Sequence, residues 1–140
     1  MIILRRLRIC ILMVSAMLTM ESVAATMRSN YDWSPVMDAI IKVESNGNPR
    51  AVNGKHAGVL QISPILVREC NNILKRRGSK KRYTLNDRFC PKKSREMFVL
   101  IQSEHNPENN VSHAIRMWNG GTGYSVRGTN GYYRRVKKHL

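Results

Sequence analysis

Signals for the start of a helix recur along this chain and constrain its fold more than any other feature. The pairs Ser34-Pro35 and Ser63-Pro64 each combine a helix-capping residue with a proline suited to the first helical turn. Pro91 and Pro107 mark two further starts, and Thr129 is a candidate cap for a last helix. Helices separated by Gly and Pro in this way predict a small, mainly α single domain with five helices.

Apolar residues repeat at helical spacing within each of these segments. In the first, Val36, Ala39, Ile40 and Val43 fall at i, i+3, i+4 and i+7, and therefore share one face. Residues 78–90, between the second and third helices, are polar and basic and predict a long loop. The inward faces of the later helices are expected to comprise Leu66, Val67, Cys70, Ile73 and Leu74, then Met97, Leu100 and Ile101, then Val111, Ala114, Ile115 and Trp118, and finally Tyr132, Tyr133 and Val136.

The first 25 residues have the pattern of a secretory signal peptide. Three arginines precede an apolar run at residues 9–20, and small residues lead to a cleavage point after Ala25 or Ala24. The apolar run holds 12 residues, whereas a membrane-spanning helix needs about 20, so a membrane anchor is the weaker alternative. We therefore expect removal of residues 1–25, export to the periplasm or cell-wall space, and one mature domain at 26–140.

The charge of the chain is strongly positive. It holds 24 Lys and Arg against nine Asp and Glu, a formal net charge of +15, and loss of three basic residues and one acidic residue with the leader leaves +13. Such a surface attracts polyanions, among them cell-wall polymers, anionic outer leaflets and nucleic acid. Export argues against nucleic acid as a partner. Charged faces that are merely solvated would have the same composition.

Two cysteines, Cys70 and Cys90, remain after the leader. An even number of cysteines in an exported chain predicts a disulfide bond. It would join the second helix to the start of the third across the basic loop, and it would stabilise the fold by about 3 kcal/mol. The alternative is a pair of buried free thiols.

Glu44 is the candidate catalytic residue. It follows Val43, the last apolar position of the first helix, and it precedes a turn at Gly47 that can stop the helix. Burial beside apolar side chains raises the pKa of a Glu carboxyl, because it disfavours the charged form. A Glu near a helix end is more often a surface residue, so the assignment depends on what surrounds it.

The sequence Trp118-Asn119-Gly120-Gly121 places an aromatic ring and an amide at the end of another helix. Such a pair suits a sugar, since sugar rings stack on aromatic faces and amides bind hydroxyl or acetamido groups. A hydroxyl from Tyr132 or Tyr133 could orient a protonated carboxyl by a hydrogen bond.

These segments together resemble the lytic transglycosylase domain, the goose-lysozyme-like group of peptidoglycan-cleaving proteins. The resemblance covers about residues 33–138, and it departs from the family at Gly47, where an apolar residue is usual, and at Trp118, where Tyr is common. It rests on four segments in the family's order, namely Glu44-Ser45-x-x-Asn48-Pro49-x-Ala51-Val52, Gly58-x-x-Gln61-Ile62, Trp118-Asn119-Gly120-Gly121 and Tyr132-x-x-x-Val136.

The resemblance implies a lysozyme-like helical fold with a long loop near the active-site cleft. It implies that Glu44 is the catalytic acid, that Ser45 and Gln61 line the site, that Asn119 holds the sugar backbone or acetamido group, and that Tyr132 hydrogen-bonds Glu44. Plainer roles remain open for three of these residues. Ser45 would then only end the helix, Gln61 only satisfy loop amides, and Tyr132 only fill the core.

A second carboxylate is hard to find in the sequence. Asp38 lies six positions before Glu44, so the helix turns it largely away, while Asp32 and Asp87 lie in loops and stay open as candidates. Ordinary glycosidases use two carboxylates. A single one favours a lytic transglycosylase reaction, in which Glu44 acts as acid and then as base, and the sugar's own 6-hydroxyl closes a 1,6-anhydro ring.

No cofactor is implied by the sequence, because His56, His105, His113 and His139 lack paired metal spacing. The expected partners are peptidoglycan glycan strands and, by analogy with small enzymes of this kind, a secretion, conjugation or phage machine. The chain is expected to act as a monomer. A lysozyme-type hydrolase and a non-catalytic cationic wall-binding protein are the alternatives.

Overall fold

The computed structural model describes residues 31–140, and residues 32–140 form one compact unit. The proposed leader at residues 1–25 lies outside the described residues. In the described part, no helix has the length and apolar character needed to cross a membrane. The elements in chain order are α1 (Ser34–Glu44), β1 (Val52–Asn53), β2 (His56–Ala57), α2 (Pro64–Arg76), a 3-10 helix (Leu85–Phe89), α3 (Pro91–His105), α4 (Val111–Gly120) and α5 (Val126–Lys137).

The mainly α prediction is confirmed, and the three proline-marked starts of α1, α2 and α3 are correct. The hydroxyl of Ser63 accepts a hydrogen bond from the backbone N–H of Leu66 at 3.2 Å, as a cap does. At α1 the cap differs from the prediction. Ser34 is already helical, and its own N–H donates to Asp32 Oδ1 at 2.9 Å.

The predicted starts of the last two helices are wrong by about one turn. α4 begins at Val111 rather than Pro107, because Asn110 caps it and accepts from the His113 N–H at 2.9 Å. α5 begins at Val126, three residues before Thr129, because Ser125 accepts from the Gly128 N–H at 3.0 Å. In each case a nearby Asn or Ser supplies a better cap than the residue chosen from the sequence.

The core lies where the apolar spacing predicts it. α1 packs against α4 and α5, and α2 packs against α3. The fully buried side chains include Ile40, Ile73, Met97, Ile115 and Val136, one from each helix. Tyr132 is also buried, with 5% of its surface exposed.

Residues 78–90 are not wholly irregular, since they contain the 3-10 helix Leu85–Phe89. Its residue Arg88 donates through Nη1 to the carbonyl oxygens of Lys55, at 3.1 Å, and Ile62, at 3.2 Å. The predicted long loop is thereby held against the small hairpin of β1 and β2, in which Val52 pairs with Ala57. The sequence hardly indicated these two-residue strands.

The predicted Cys70–Cys90 disulfide is not formed, and both cysteines are free thiols. Cys70 is fully buried, and its Sγ lies 3.8 Å from the carbonyl oxygen of Met97. It points into the core between α2 and α3, whereas Cys90 caps the start of α3 and is only partly buried.

We expect the two thiols to react at very different rates in protein from which residues 1–25 have been removed. Burial raises the pKa of the Cys70 thiol to about 12 and excludes the reagent, so Cys70 should react only after unfolding. A thiol-reactive reagent should modify Cys90 alone in the native protein, and Cys90→Ser should abolish the fast phase. If neither thiol reacts until a reductant is added, the bridge exists.

Candidate active site

Glu44 is the last residue of α1 and lies partly buried at the edge of the core. Its carboxyl Oε1 accepts a hydrogen bond from the hydroxyl of Tyr132, on α5, at 2.7 Å. Burial raises the pKa of Glu44, while the hydrogen bond from Tyr132 and the charges of His56 and Arg135 oppose that rise in part. A carboxyl with a raised pKa can keep a proton for donation to a bound group.

Tyr132 is held in its role by its surroundings. Burial, and next the negative charge of Glu44, raise the pKa of the Tyr132 phenol. The hydroxyl therefore stays protonated and donates a hydrogen bond to Glu44. The guanidinium of Arg135 lies over the Tyr132 ring, 5.7 Å from its centre. The phenol therefore bonds Glu44 from the core side and orients its carboxyl toward the cleft.

The carboxyl of Glu44 faces a cavity of about 290 Å³. Its walls come from the end of α1, the hairpin, the start of α2 and the end of α4. The residues that line it are Glu44, Asn53, His56, Gln61, Ser63, Leu66, Trp118 and Asn119. The cleft is therefore mostly polar, with one aromatic ring, and suits a ligand rich in hydroxyl and amide groups.

Gln61 reaches this cleft through a tight turn. Gly58 and Gln61 both have left-handed backbone angles, with φ of +79° and +51°. The Gln61 side chain donates through Nε2 to the carbonyl oxygens of Gly58, at 2.9 Å, and Ala51, at 3.1 Å. These bonds hold the amide rigidly in the wall. Gln61 therefore both hydrogen-bonds the carbonyl groups of the loop and lines the cleft.

Trp118 and Asn119 lie together near the end of α4. The indole Nε1 donates to the carbonyl oxygen of Leu60 at 3.1 Å, and its ring packs at 4.9 Å from that of Phe98. Trp118 is thus partly buried in the core, whereas Asn119 is exposed. The amide of Asn119 is free to meet a ligand from solvent.

The structure brings Glu44, Gln61, Asn119 and Tyr132 together, but it places Ser45 differently. The hydroxyl of Ser45 donates to the carbonyl oxygen of Val59 at 2.8 Å and accepts from the Gly47 N–H at 3.2 Å. Ser45 also caps the end of α1. It is not among the residues that line the cavity, so contact with a ligand stays a prediction for this residue.

Glu44 is the sole carboxyl among the described residues that line the cleft. Asp32 accepts from Ser34 at the start of α1, and Asp38 pairs with Arg95. Asp87 pairs with Lys93 at 2.6 Å. The three aspartates weighed as partners of Glu44 are therefore engaged elsewhere.

His56 is the cleft residue whose place sequence reasoning missed, since histidines were weighed only as metal ligands. It lies in β2, partly buried, and its charge lowers the pKa of Glu44. Asn53, in β1, and Ser63, which caps the start of α2, also line the cleft, and the two-residue strand that holds Asn53 left almost no sequence signal. Within residues 31–140, no group of three or more His, Cys, Asp and Glu side chains is arranged to hold a metal ion.

The structure thus shows a helical domain in which Glu44 lies partly buried at the edge of a polar cleft. The family model of the transglycosylase SLT domain matches residues 21–139. The chain belongs to this family, whose members are peptidoglycan lytic transglycosylases that act on the cell wall. Comparison with curated proteins and with solved structures gives no match.

Proposed function

We propose that this protein cleaves the β-1,4 bond between N-acetylmuramic acid and N-acetylglucosamine in peptidoglycan and forms a 1,6-anhydro product. The observation that carries the proposal is the carboxyl of Glu44, which has a raised pKa, accepts a hydrogen bond from Tyr132 and faces a cleft that holds no other carboxyl group from residues 31–140. Membership of the SLT family supports the substrate class.

Glu44 acts twice in the proposed mechanism. Its protonated carboxyl donates a proton to the bridging oxygen as the glycosidic bond breaks, and the adjacent acetamido group stabilises the developing positive charge. The resulting carboxylate takes the proton of the 6-hydroxyl, whose oxygen bonds to the anomeric carbon and closes the ring. Glu44 ends the cycle protonated, and no water is consumed.

The other predicted residues take binding roles in this proposal. Gln61 and Asn119 contact the hydroxyl or acetamido groups of the glycan, and Ser45 contacts the glycan beside Glu44. Tyr132 acts on the carboxyl. The protein is proposed to work as an exported monomer in the periplasm or cell-wall space, for a secretion, conjugation or phage machine.

The products distinguish this proposal from its alternatives. Purified protein should release 1,6-anhydro muropeptides from isolated peptidoglycan, detected by mass spectrometry as products lacking one water relative to reducing sugars. Products with reducing ends would instead identify a lysozyme-type hydrolase. Binding to wall sacs without any released product would identify a wall-binding protein, and either result would overturn the proposal.

We expect Tyr132→Phe to lower the initial rate about 10-fold and to move the alkaline limb of the pH–rate profile to higher pH. A hydrogen bond to a charged group contributes about 1.5–3 kcal/mol, and this one stabilises the ionised carboxyl. Its loss raises the pKa of Glu44 further, so the acid form survives to higher pH while its orientation is lost. Rates of peptidoglycan cleavage across a pH series measure both effects.

Tyr133→Phe is the matched control, because it removes a hydroxyl from the neighbouring position of α5. The ring of Tyr133 packs under Arg116, and the hydrogen bond to Glu44 comes from Tyr132. Its pH profile should match that of the wild type. An alkaline limb that moves to lower pH in Tyr132→Phe would contradict the assigned role of the phenol.

A further inference from the structure

A second cavity, of about 550 Å³, lies beside the first turns of α4 and the start of α5. It shares no lining residue with the Glu44 cleft. From α4 it is lined by Ser112, His113 and Arg116, and it extends to Tyr124 and to the turn that contains Glu108. Its volume falls in the range of small-molecule sites, about 300–1,000 Å³.

Arg116 is the unusual residue of this cavity, because it is 8% exposed and yet makes no ion pair within residues 31–140. Its Nη1 donates to the carbonyl oxygen of Val126 at 2.9 Å and to the Thr129 hydroxyl at 3.1 Å. Its guanidinium lies 4.2 Å from the centre of the Tyr133 ring.

These contacts satisfy hydrogen bonds and hold the guanidinium rigidly, but they leave its positive charge without a counter-ion. A buried charge without a partner is costly, and that cost falls when an anion enters the site. The start of α4 adds to the positive potential, since the first N–H groups of a helix lack intrahelical acceptors. The cavity is therefore suited to a carboxylate.

The wall beside Arg116 is polar and ordered. His113 Nε2 lies 3.2 Å from the carbonyl oxygen of His105, which can only accept, so Nε2 carries the proton. His113 Nδ1, 2.9 Å from the Tyr124 hydroxyl, then accepts from it in the neutral imidazole. Both rings are fixed in place by this chain of hydrogen bonds, so the cavity is preformed.

Glu108 supplies the opposite charge. It is exposed, it is the sole carboxyl among the described lining residues, and it makes no ion pair with any residue in the described range. One cavity thus presents an unpaired cation and an unpaired anion. A ligand that complements both carries a carboxylate and an amino group, as a short peptide with free ends does.

We propose that this cavity binds a short peptide, with the carboxylate on Arg116 and the amino group on Glu108. Binding at this site requires no chemistry at Glu44, so this proposal can be tested independently of the proposed function.

The test is a titration of the purified, ¹⁵N-labelled protein with the tripeptide Ala-Ala-Ala, followed by the amide shifts of His113, Arg116 and Tyr124. Two capped forms of the peptide are compared, one amidated at the C-terminus and one acetylated at the N-terminus. Amidation should weaken binding about 10-fold or more, as loss of one partner in a charge-assisted contact does. Acetylation should weaken it less, because Glu108 is exposed.

Glu108→Gln serves as the variant, since an exposed side chain can change without loss of the fold. It should weaken binding of the free peptide and leave the acetylated peptide unchanged. Equal binding of the free and amidated peptides would overturn the proposal. Shifts confined to the Glu44 cleft, or no shifts up to about 10 mM peptide, would overturn it as well.

Discussion

Replacing Glu44 with Gln is expected to lower the release of sugar products from peptidoglycan by about 10²–10⁴-fold, the usual contribution of a positioned general acid. Gln has nearly the same shape as Glu, and its carbonyl oxygen can still accept the hydrogen bond from Tyr132. The amide cannot donate a proton of the required acidity or take one from the 6-hydroxyl. The loss should therefore appear in the rate of bond cleavage, measured by chromatography of soluble products.

Glu104→Gln is the matched control for this substitution. Glu104 also lies near the end of a helix, but it pairs on the surface with Arg77, at 2.6 Å, and Arg76, at 3.0 Å. Exposed pairs contribute little stability, about 0–1 kcal/mol. Activity in the control should be unchanged. Comparable activity in Glu44→Gln and wild type would remove Glu44 from the mechanism.

Glu44→Gln should also be at least as stable as the wild type at neutral pH. The folded-state pKa of Glu44 is raised above its ordinary value of 4.5. The folded state then disfavours the ionised carboxyl. The contribution of Glu44 to stability is therefore present at acidic pH and is lost as the pH rises through the raised pKa. Melting temperatures at pH 7 and pH 4 should show that any gain in Glu44→Gln disappears at the lower pH.

The sequence predicts the first three helices well because proline suits the first helical turn and so marks where a helix can begin. Pro64 and Pro91 are both first helical residues in the structure. Pro107 carries the same mark but lies in the turn between α3 and α4. Asn109 in this turn has a φ of +51°, which is not helical, so α4 begins only after it. At α5 the cap is Ser125, whose hydroxyl accepts from the Gly128 N–H at 3.0 Å, while the hydroxyl of Thr129 donates to the carbonyl oxygen of Ser125 at 2.8 Å.

The candidate site was predictable to the extent that its residues lie in motifs with a chemical reason. Glu44, Asn119 and Tyr132 were chosen on that basis, and Gln61 from the resemblance to the family. The first two and Gln61 line one cleft, and Tyr132 donates a hydrogen bond to Glu44. His56 was not predicted as a cleft residue, because a two-residue strand has no sequence periodicity from which the direction of its side chain could be inferred. The disulfide prediction failed for a related reason, since the spacing of cysteines carries no information about where their side chains point.

The distribution of charge also depends on the fold. Basic residues in the 75–93 region are partly neutralised by carboxylates, as in the pairs Lys81–Glu96 and Lys93–Asp87, each at 2.6 Å. The chain holds no Asp or Glu after Glu108, so α5 keeps its excess positive charge beside the cleft. The basic side chains of α5 therefore leave positive charge on the helix that supplies Tyr132 and Arg135, where it would attract anionic wall material.

The largest expected effect on stability is that of Gly58→Ala. Gly58 has a φ of +79°, and a Cβ added there would lie 1.7 Å from the carbonyl oxygen of Arg88. That oxygen cannot easily withdraw, since it accepts a hydrogen bond at 2.9 Å from the hydroxyl of Ser94, which is fully buried. Overpacking and left-handed strain together should cost roughly 3–5 kcal/mol, a large part of the stability of a small domain.

Gly54→Ala separates the two causes of that loss. Gly54 also has a positive φ, +55°, but a Cβ there would meet no atom within 4 Å. Only backbone strain applies, so urea unfolding should show a loss of about 1–2 kcal/mol. Equal losses in the two variants would show that the contact between Gly58 and Arg88 is not limiting. A much larger loss in Gly58→Ala would show that glycine is needed at this position because the 3-10 segment approaches it so closely. The same contact also fixes the turn that carries Gln61 into the cleft.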